Sequence, residues 1–457
     1  MTQSKQNNLL INLFGSYLFI IFAIILVGNE LDRVQSYLVL FFFTFFSIFY
    51  LCAQFFRLFA VNILLVSIIG FVTKLIIGYI FFEFYLWPDY FSNQYSKISF
   101  DHWEYLFFWE SVKAIADYRI EHGYFSIIGY SYFENLHVYQ GKYLFLNYIM
   151  SNLFLSGNKN LLDFSIQNSL FSFYTAIIIS LIGMRFNCTK KHIKIIFIIS
   201  LFQPFSFISV MIWRDVVGQF FVILGVYLLL LLNNANIFKS ILILLFSSIS
   251  MGLLRPVYIC IPFILYYYKF FTQGFKKNKE IIFFMLVTSI IIITFFNSEF
   301  QNFLKISYHS YVGELDVTKF LILLPINFIR NLIGPFPWLV WFNFDDGTIF
   351  LIGNYLQAVY VTVIFFFTII YYKTSDIEIK FHLILISLII LLMAISVIGI
   401  NNSYFSFCAA LCLPIFIKRI SLKKFYYTYF IFFCGFILLN IIYIALGFYG
   451  SNLAVYL

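Results

Sequence analysis

Residues 9–28, LLINLFGSYLFIIFAIILVG, contain no charged side chain. A helix of that length measures about 30 Å, the thickness of the hydrocarbon core of a bilayer. Inside lipid every backbone N–H and C=O needs an internal partner, so only helices and closed barrels cross. A barrel would alternate apolar and polar residues over strands of about ten, whereas this run is apolar throughout. Comparable runs recur at approximately 9–28, 36–55, 58–82, 164–184, 194–212, 216–232, 239–254, 256–271, 280–297, 349–372, 381–400, 404–417 and 425–447. Charged residues make up 11% of the 457 and hydrophobic residues 62%. A soluble chain of this length needs about twice that charged fraction to cover its surface. The expected fold is therefore all-α, a polytopic integral membrane protein with about thirteen transmembrane helices. The first run is too long for a signal-peptide core and lacks a small-residue cleavage site, so it reads as a retained anchor.

Charge orients these spans. With the N-terminus in the cytoplasm, 17 of the 29 Lys and Arg residues fall in cytoplasmic segments. Among them are Arg185, Lys190, Lys191 and Lys194, then Lys276, Lys277 and Lys279, then Lys418, Arg419, Lys423 and Lys424. Such an excess is what cytoplasmic loops carry, so the net charge of +9 reflects orientation and not a nucleic-acid partner. Counting the apolar stretch 143–156 as a crossing would place Arg185–Lys194 outside. At fourteen residues it is short for a span, and it reads as re-entrant or interfacial.

Of the 20 Asp and Glu residues, only Glu280, Asp376 and Glu378 then lie inside. Two long outer segments, 83–163 and 298–348, form an external cap on a single membrane domain, 1–457. Within the first, Phe100, Trp103, Phe107, Phe108 and Val112 fall at helical spacing, as in an amphipathic helix lying on the membrane surface.

Charges at the membrane are costly and therefore informative. Arg214 and Asp215 (IWRDVV) sit at the outer end of the fifth span, in a turn too short to be a solvated loop. Arg255 (LLRPVY) sits at the outer end of the seventh, and Arg330 lies in PINFIRNLIGPFPW of the second outer segment. Arginine offers a rigid fork of donors matched to phosphate oxygens and keeps its charge; the competing reading is snorkelling to lipid headgroups. Lys74 lies inside the third span, and its long stem is expected to reach the interface.

The first outer segment supplies Asp101, His102, Glu104, Glu110, Glu121, His122, Glu134 and His137, and His309 lies in the second. Asp101 and Glu104, at i and i+3, share a helix face, so Asp101, His102 or Glu104 can serve as a general base; the bland reading of each is a solvated face. The spacing of these residues gives no zinc motif, and no nucleotide-binding fingerprint or GxSxG elbow is present. No metal and no cofactor are expected. The six cysteines, Cys52, Cys188, Cys260, Cys408, Cys412 and Cys434, lie in apolar spans or short basic loops and form no CxxC. Heavy use of Phe (65) and Tyr (34) reads as AT-rich coding bias, not as an aromatic cofactor site.

The layout resembles that of Wzy-type O-antigen or oligosaccharide repeat-unit polymerases of bacterial inner membranes. It shares their dozen or so spans and two enlarged outer segments. PFSFISVMIWRD, paired with the downstream LLRP, looks like their arginine-bearing outer ends, and Arg214 is followed at an Arg-x10-Gly spacing by Gly225. The resemblance implies transfer of a glycan from undecaprenyl diphosphate to the sugar hydroxyl of an incoming lipid-linked repeat unit, at the outer face. In that scheme Arg214, Arg255 and Arg330, with Asp215 beside them, bind the diphosphate, and Asp101, His102 or Glu104 is the base. The implied partners are lipid-linked oligosaccharides, membrane lipid and a chain-length regulator protein.

Two other readings compete. One is a membrane glycosyltransferase using a polyprenyl-phosphate sugar; the other is a lipid-linked oligosaccharide flippase or transporter. The transporter should show two related halves, and no internal repeat is visible. No Asp or Glu lies deep in any span, which counts against proton coupling. The topology predicts that reactive tags at positions 214 and 255 are labelled from the outer face; labelling from the cytosol would end the diphosphate-site assignment.

Overall fold

The computed structural model describes residues 3–27, 33–59, 63–81, 100–126, 144–155, 161–203, 207, 215–231, 237–252, 258, 261–263, 348–371, 379–380, 382–387, 389 and 403–445. These residues are helical or connect helices, with no strand among them. The helices are α1 (Gln3–Val27), α2 (Arg33–Phe59), α3 (Leu64–Phe81), α4 (Phe100–His122), α5 (Leu144–Ser151), α6 (Leu161–Arg185), α7 (Lys190–Leu201), α8 (Asp215–Leu230), α9 (Ile237–Gly252), α10 (Thr348–Tyr371), α11 (Ser403–Arg419) and α12 (Leu422–Ala445). A 3-10 turn, Asn152–Phe154, follows α5.

Among the described residues three stretches are long and apolar enough to cross a membrane: Asn8–Leu26, Leu38–Phe55 and Ser165–Arg185. Leu64–Ile80, Val216–Leu230, Phe238–Gly252 and Val359–Thr368 are shorter apolar stretches. Two expected spans are revised. The third begins at Leu64, because α2 runs on through Phe59. The helix of the fifth ends at Leu201, and its 12 residues reach only about 18 Å. The span expected at 280–297, and most of those at 256–271 and 381–400, lie outside the described residues. The stretch expected to be too short for a crossing forms α5, whose 8 residues measure about 12 Å.

The chain divides into two compact units. In the first, residues 1–221 with 343–353, α6 is the central element. Every residue from 165 to 183 is buried, and α6 packs against α2, α3 and α7. Phe171 is its aromatic hub, with ring centroids 5.2 Å from Tyr17 of α1 and 5.2 Å from Phe220 of α8, both edge-on. Phe197 of α7 lies 6.0 Å from Phe173 and 5.2 Å from Phe55 of α2. The three edge-on pairs, Tyr17–Phe171, Phe171–Phe220 and Phe173–Phe197, add about 1 kcal/mol each beyond the area they bury.

A Schellman motif ends α6. Cys188 N–H donates to Gly183 O (3.0 Å), Asn187 N–H donates to Met184 O (3.0 Å), and Asn187 takes the left-handed φ of 57°. The next helix starts at once, with Thr189 Oγ1 accepting from His192 N–H at 3.3 Å. Lys190, Lys191 and Lys194 are exposed at this turn. By contrast α1 and α2 turn large apolar side chains outward: Ile11, Leu18, Phe22 and Leu26 on one, Phe42, Phe46 and Phe49 on the other. A helix apolar on both its buried and its exposed side suits lipid contact.

The second unit, residues 222–342 and 354–457, joins α10, α11 and α12 through Phe367, Phe416 and Phe425. Successive ring centroids there lie 5.4 and 5.1 Å apart. Where α8 crosses α9, a Cβ on Gly225 would lie 2.8 Å from Met251 Cγ and 3.0 Å from Ser247 O. The glycine of the Arg-x10-Gly spacing thus has a packing function of its own. Gly225→Val should lower stability by about 1–3 kcal/mol through overpacking, measured as thermal unfolding in detergent. Gly435→Val, where nothing lies within 4 Å, should change it by less than about 0.5 kcal/mol.

Candidate functional site

Complete burial of α6 leaves its polar side chains without water, so each must find a partner inside the protein. Some bond back along the helix: Ser169 to Ser165 O at 2.7 Å, Thr175 to Phe171 O at 2.8 Å, and Ser180 to Ala176 O at 2.7 Å. Others reach across to neighbouring helices. Tyr174 and Ser16 of α1 share a hydrogen bond of 2.7 Å, and Gln167 Nε2 donates to the hydroxyl of Tyr17, also on α1, at 3.2 Å.

The third such link carries a charge. Lys74 of α3 is 1% exposed, and its Nζ donates to Ser172 Oγ at 2.6 Å. The Phe207 ring lies 5.6 Å from the nitrogen, within cation–π range. The expectation that the lysine stem reaches the interface is thus corrected: the side chain turns inward to the central helix. Packing explains the direction. One turn earlier on the same face, Gly70 lets α3 approach the end of α7, where a Cβ would meet Leu201 Cδ2 at 3.0 Å and Phe202 Cζ at 3.3 Å.

A second cation is held at the end of α4. Arg119 is 3% exposed. Its Nε donates to Tyr124 O at 2.8 Å, and Nη1 donates to Tyr148 O at 3.3 Å, Ser151 Oγ at 2.8 Å and Asn152 Oδ1 at 2.8 Å. The guanidinium also lies over the Tyr148 ring, 4.3 Å from its centroid. All four acceptors are neutral oxygens. The Tyr148 carbonyl belongs to the last turn of α5, where the helix leaves carbonyls unsatisfied and its dipole favours a cation. Burial lowers the pKa of Arg119, opposed by the phenols of Tyr148 and Tyr17; arginine nevertheless stays protonated. Tyr17 extends this network, bonding with the Asn152 side chain, Ile149 O and Gln167. The cation of α4 is thereby linked to the central helix.

Of the residues expected to carry chemistry, Asp101, His102 and Glu104 fall in the first two turns of α4, which makes their helical spacing real; their side chains lie outside the described set. Asp215 is the first residue of α8. Arg214, Arg255, Arg330, Glu134, His137 and His309 lie outside the described residues. His122 is exposed, stacked on Tyr118 with ring centroids 4.2 Å apart, and its Nδ1 lies 3.1 Å from Tyr118 O.

The stripe expected to face lipid continues along α4 through Ser111, Val112, Ile115, Ala116 and Arg119. All five are buried, and α4 packs on α5 and the 3-10 turn. Over its C-terminal half this helix therefore faces protein. Arg119 was not among the expected site residues. Its position at the C-terminal end of an apolar stripe was the available signal. Among the described residues, His, Cys, Asp and Glu nowhere gather in a group of three able to hold a metal ion. No family model, curated protein or solved structure matches this chain.

Replacing Arg119 by Ala removes four hydrogen bonds from a charged donor, each contributing about 1.5–3 kcal/mol and not additively. Arg119→Ala should therefore lower stability by about 3 kcal/mol or more. Arg119→Lys should restore less than half, because a single amine cannot reproduce the fork. Thermal unfolding of the three proteins in one detergent checks this.

Proposed function

We propose that this chain is a membrane glycosyltransferase of the repeat-unit polymerase type, working at the outer face of a bacterial inner membrane on undecaprenyl-diphosphate-linked oligosaccharides. The observation that carries the reading is a pair of buried cations, Lys74 and Arg119, both bonded to neutral acceptors. They sit in a helical unit whose α1, α2 and α3 turn large apolar side chains outward. Lipid-facing surface combined with interior positive charge suits an anionic substrate carried on a lipid.

In the reaction a hydroxyl oxygen of the incoming repeat unit attacks the anomeric carbon of the growing glycan. The carbon–oxygen bond to undecaprenyl diphosphate breaks, its electron pair leaves on the phosphate oxygen, and a base takes the hydroxyl proton. Arg214, Arg255 and Arg330, near Asp215, are assigned to the departing diphosphate, where fixed donors offset the negative charge as it develops. Asp101, His102 or Glu104 is assigned as the base; carboxylates and imidazoles are the usual groups for that proton. The donor brings its own leaving group, so the scheme uses no nucleotide. A chain-length regulator is the expected protein partner.

Arg214→Ala and Arg255→Ala should each abolish long glycan chains while the protein still accumulates in the membrane, leaving cells with single capped repeat units. The readout is the glycan ladder on a gel together with immunoblotting of membranes. Normal ladders in both variants would remove the site assignment, and loss of one sugar branch would favour a single-sugar transferase.

A further inference from the structure

The chain leaves α4 through a tight turn, 123–126. Ser126 N–H donates to Gly123 O at 2.8 Å, and Gly123 takes a φ of 111°, a region that residues with a side chain rarely adopt. Three further hydrogen bonds fix the turn. Arg119 Nε donates to Tyr124 O at 2.8 Å, Ser126 Oγ donates to His122 O at 2.6 Å, and the Tyr148 hydroxyl donates to Ser126 O. At the tip stands Phe125, 90% exposed and the most exposed large hydrophobic residue among those described. Loop tips are ordinarily poorly held; this one is fastened from both α4 and α5.

Its depth follows from α1. Asn8–Leu26 is long and apolar enough to cross a membrane, and Tyr17 is its central residue. The Tyr17 side chain bonds with that of Asn152, Asn152 Oδ1 accepts from Arg119, and Arg119 Nε holds Tyr124 O. By standard bond and hydrogen-bond lengths, that path carries the Phe125 backbone at most about 16 Å from the Tyr17 hydroxyl. Half of a bilayer is about 15 Å thick without its headgroups and about 20–22 Å with them. In whichever direction the path runs, the turn lies within the bilayer or at its boundary. Glu121 and His122 beside it are also exposed, and a carboxylate among acyl chains is costly. Both conditions are met at the boundary, where polar groups stay in the headgroup layer and an aromatic ring lies below them.

We propose that the 123–126 turn is a bilayer anchor, seating the Phe125 ring among lipid acyl chains just beneath the headgroups. The occupant is lipid because the depth of the ring is set by bonds to α1, which itself turns Leu18, Phe19 and Phe22 outward. A turn fixed in advance loses little conformational freedom on insertion. The α4–α5 pair is thereby tied to the membrane through its own tip as well as through α1. The inference is independent of the polymerase reading.

The test places a photoreactive ketone at the tip, Phe125→p-benzoylphenylalanine, in the full chain purified into nanodiscs of equimolar phosphatidylethanolamine and phosphatidylglycerol. Under near-ultraviolet light the ketone takes a hydrogen from an adjacent C–H bond and the two carbon radicals join, so an adduct carries the mass of what the ring touches. Intact mass should rise by one phospholipid, in a yield comparable to that of the same replacement at Leu18, which is 63% exposed on α1. Gly123→Ala, added to the Phe125 variant, strains the turn and should lower that yield. An adduct with a second copy of the chain, or none where Leu18 gives one, overturns the anchor; an unchanged yield with Gly123→Ala overturns the part played by the fixed turn. Should the ketone variant not accumulate, Phe125→Cys carrying a nitrobenzoxadiazole label decides. Quenching by doxyl groups on the acyl chains, above the background of labelled wild type, supports the anchor, and quenching by aqueous iodide alone overturns it.

Discussion

Burial of α6 on all sides is the constraint from which the rest of the first unit follows. Residues 165–183 are closed off by α2, α3 and α7, yet the helix carries Ser165, Gln167, Asn168, Ser169, Ser172, Thr175 and Ser180. A polar group taken from water without a partner costs about 1–3 kcal/mol in a protein. The serine and threonine hydroxyls that bond to carbonyls four residues back meet that cost within the helix. Where a side chain reaches outward instead, as at Gln167, Ser172 and Tyr174, it sets the rotation of the neighbouring helix. Tyr17 and Ser16 turn α1, and Lys74 turns α3. Where α1 and α2 are apolar on their buried and exposed sides alike, these few hydrogen bonds supply directional information that hydrophobic packing lacks.

The two buried cations solve unlike problems. Arg119 spreads its fork over a carbonyl near the end of α4, a carbonyl in the last turn of α5, and the Ser151 and Asn152 side chains. It fastens α4 and α5 to each other, and its charge complements the end of a helix dipole. Lys74 fastens little by comparison. It has one hydroxyl and one aromatic ring, and it lies seven positions from the nearer end of α3. Arg119 joins α4 to α5, and Lys74 joins α3 to α6.

The helices themselves were legible. Runs of uncharged residues placed α2, α6 and α8 through α12 within about four residues at either end, and α1 within about six, because a long apolar run folds most readily as a helix whose length follows from rise per residue. Helix ends inside apolar runs were not. The end of α7 at Leu201 lies within a run that stays apolar past Pro204, and the start of α3 at Leu64 follows an α2 that overran its expected end. The direction of Lys74 was hidden for a related reason. When lipid and protein core are both apolar, hydropathy cannot say which side of α3 faces inward, so the rotation is settled by Gly70 and Ser172. Arg119 was illegible because its acceptors are mainly backbone carbonyls and neutral side chains, which carry no pattern until α4 and α5 meet.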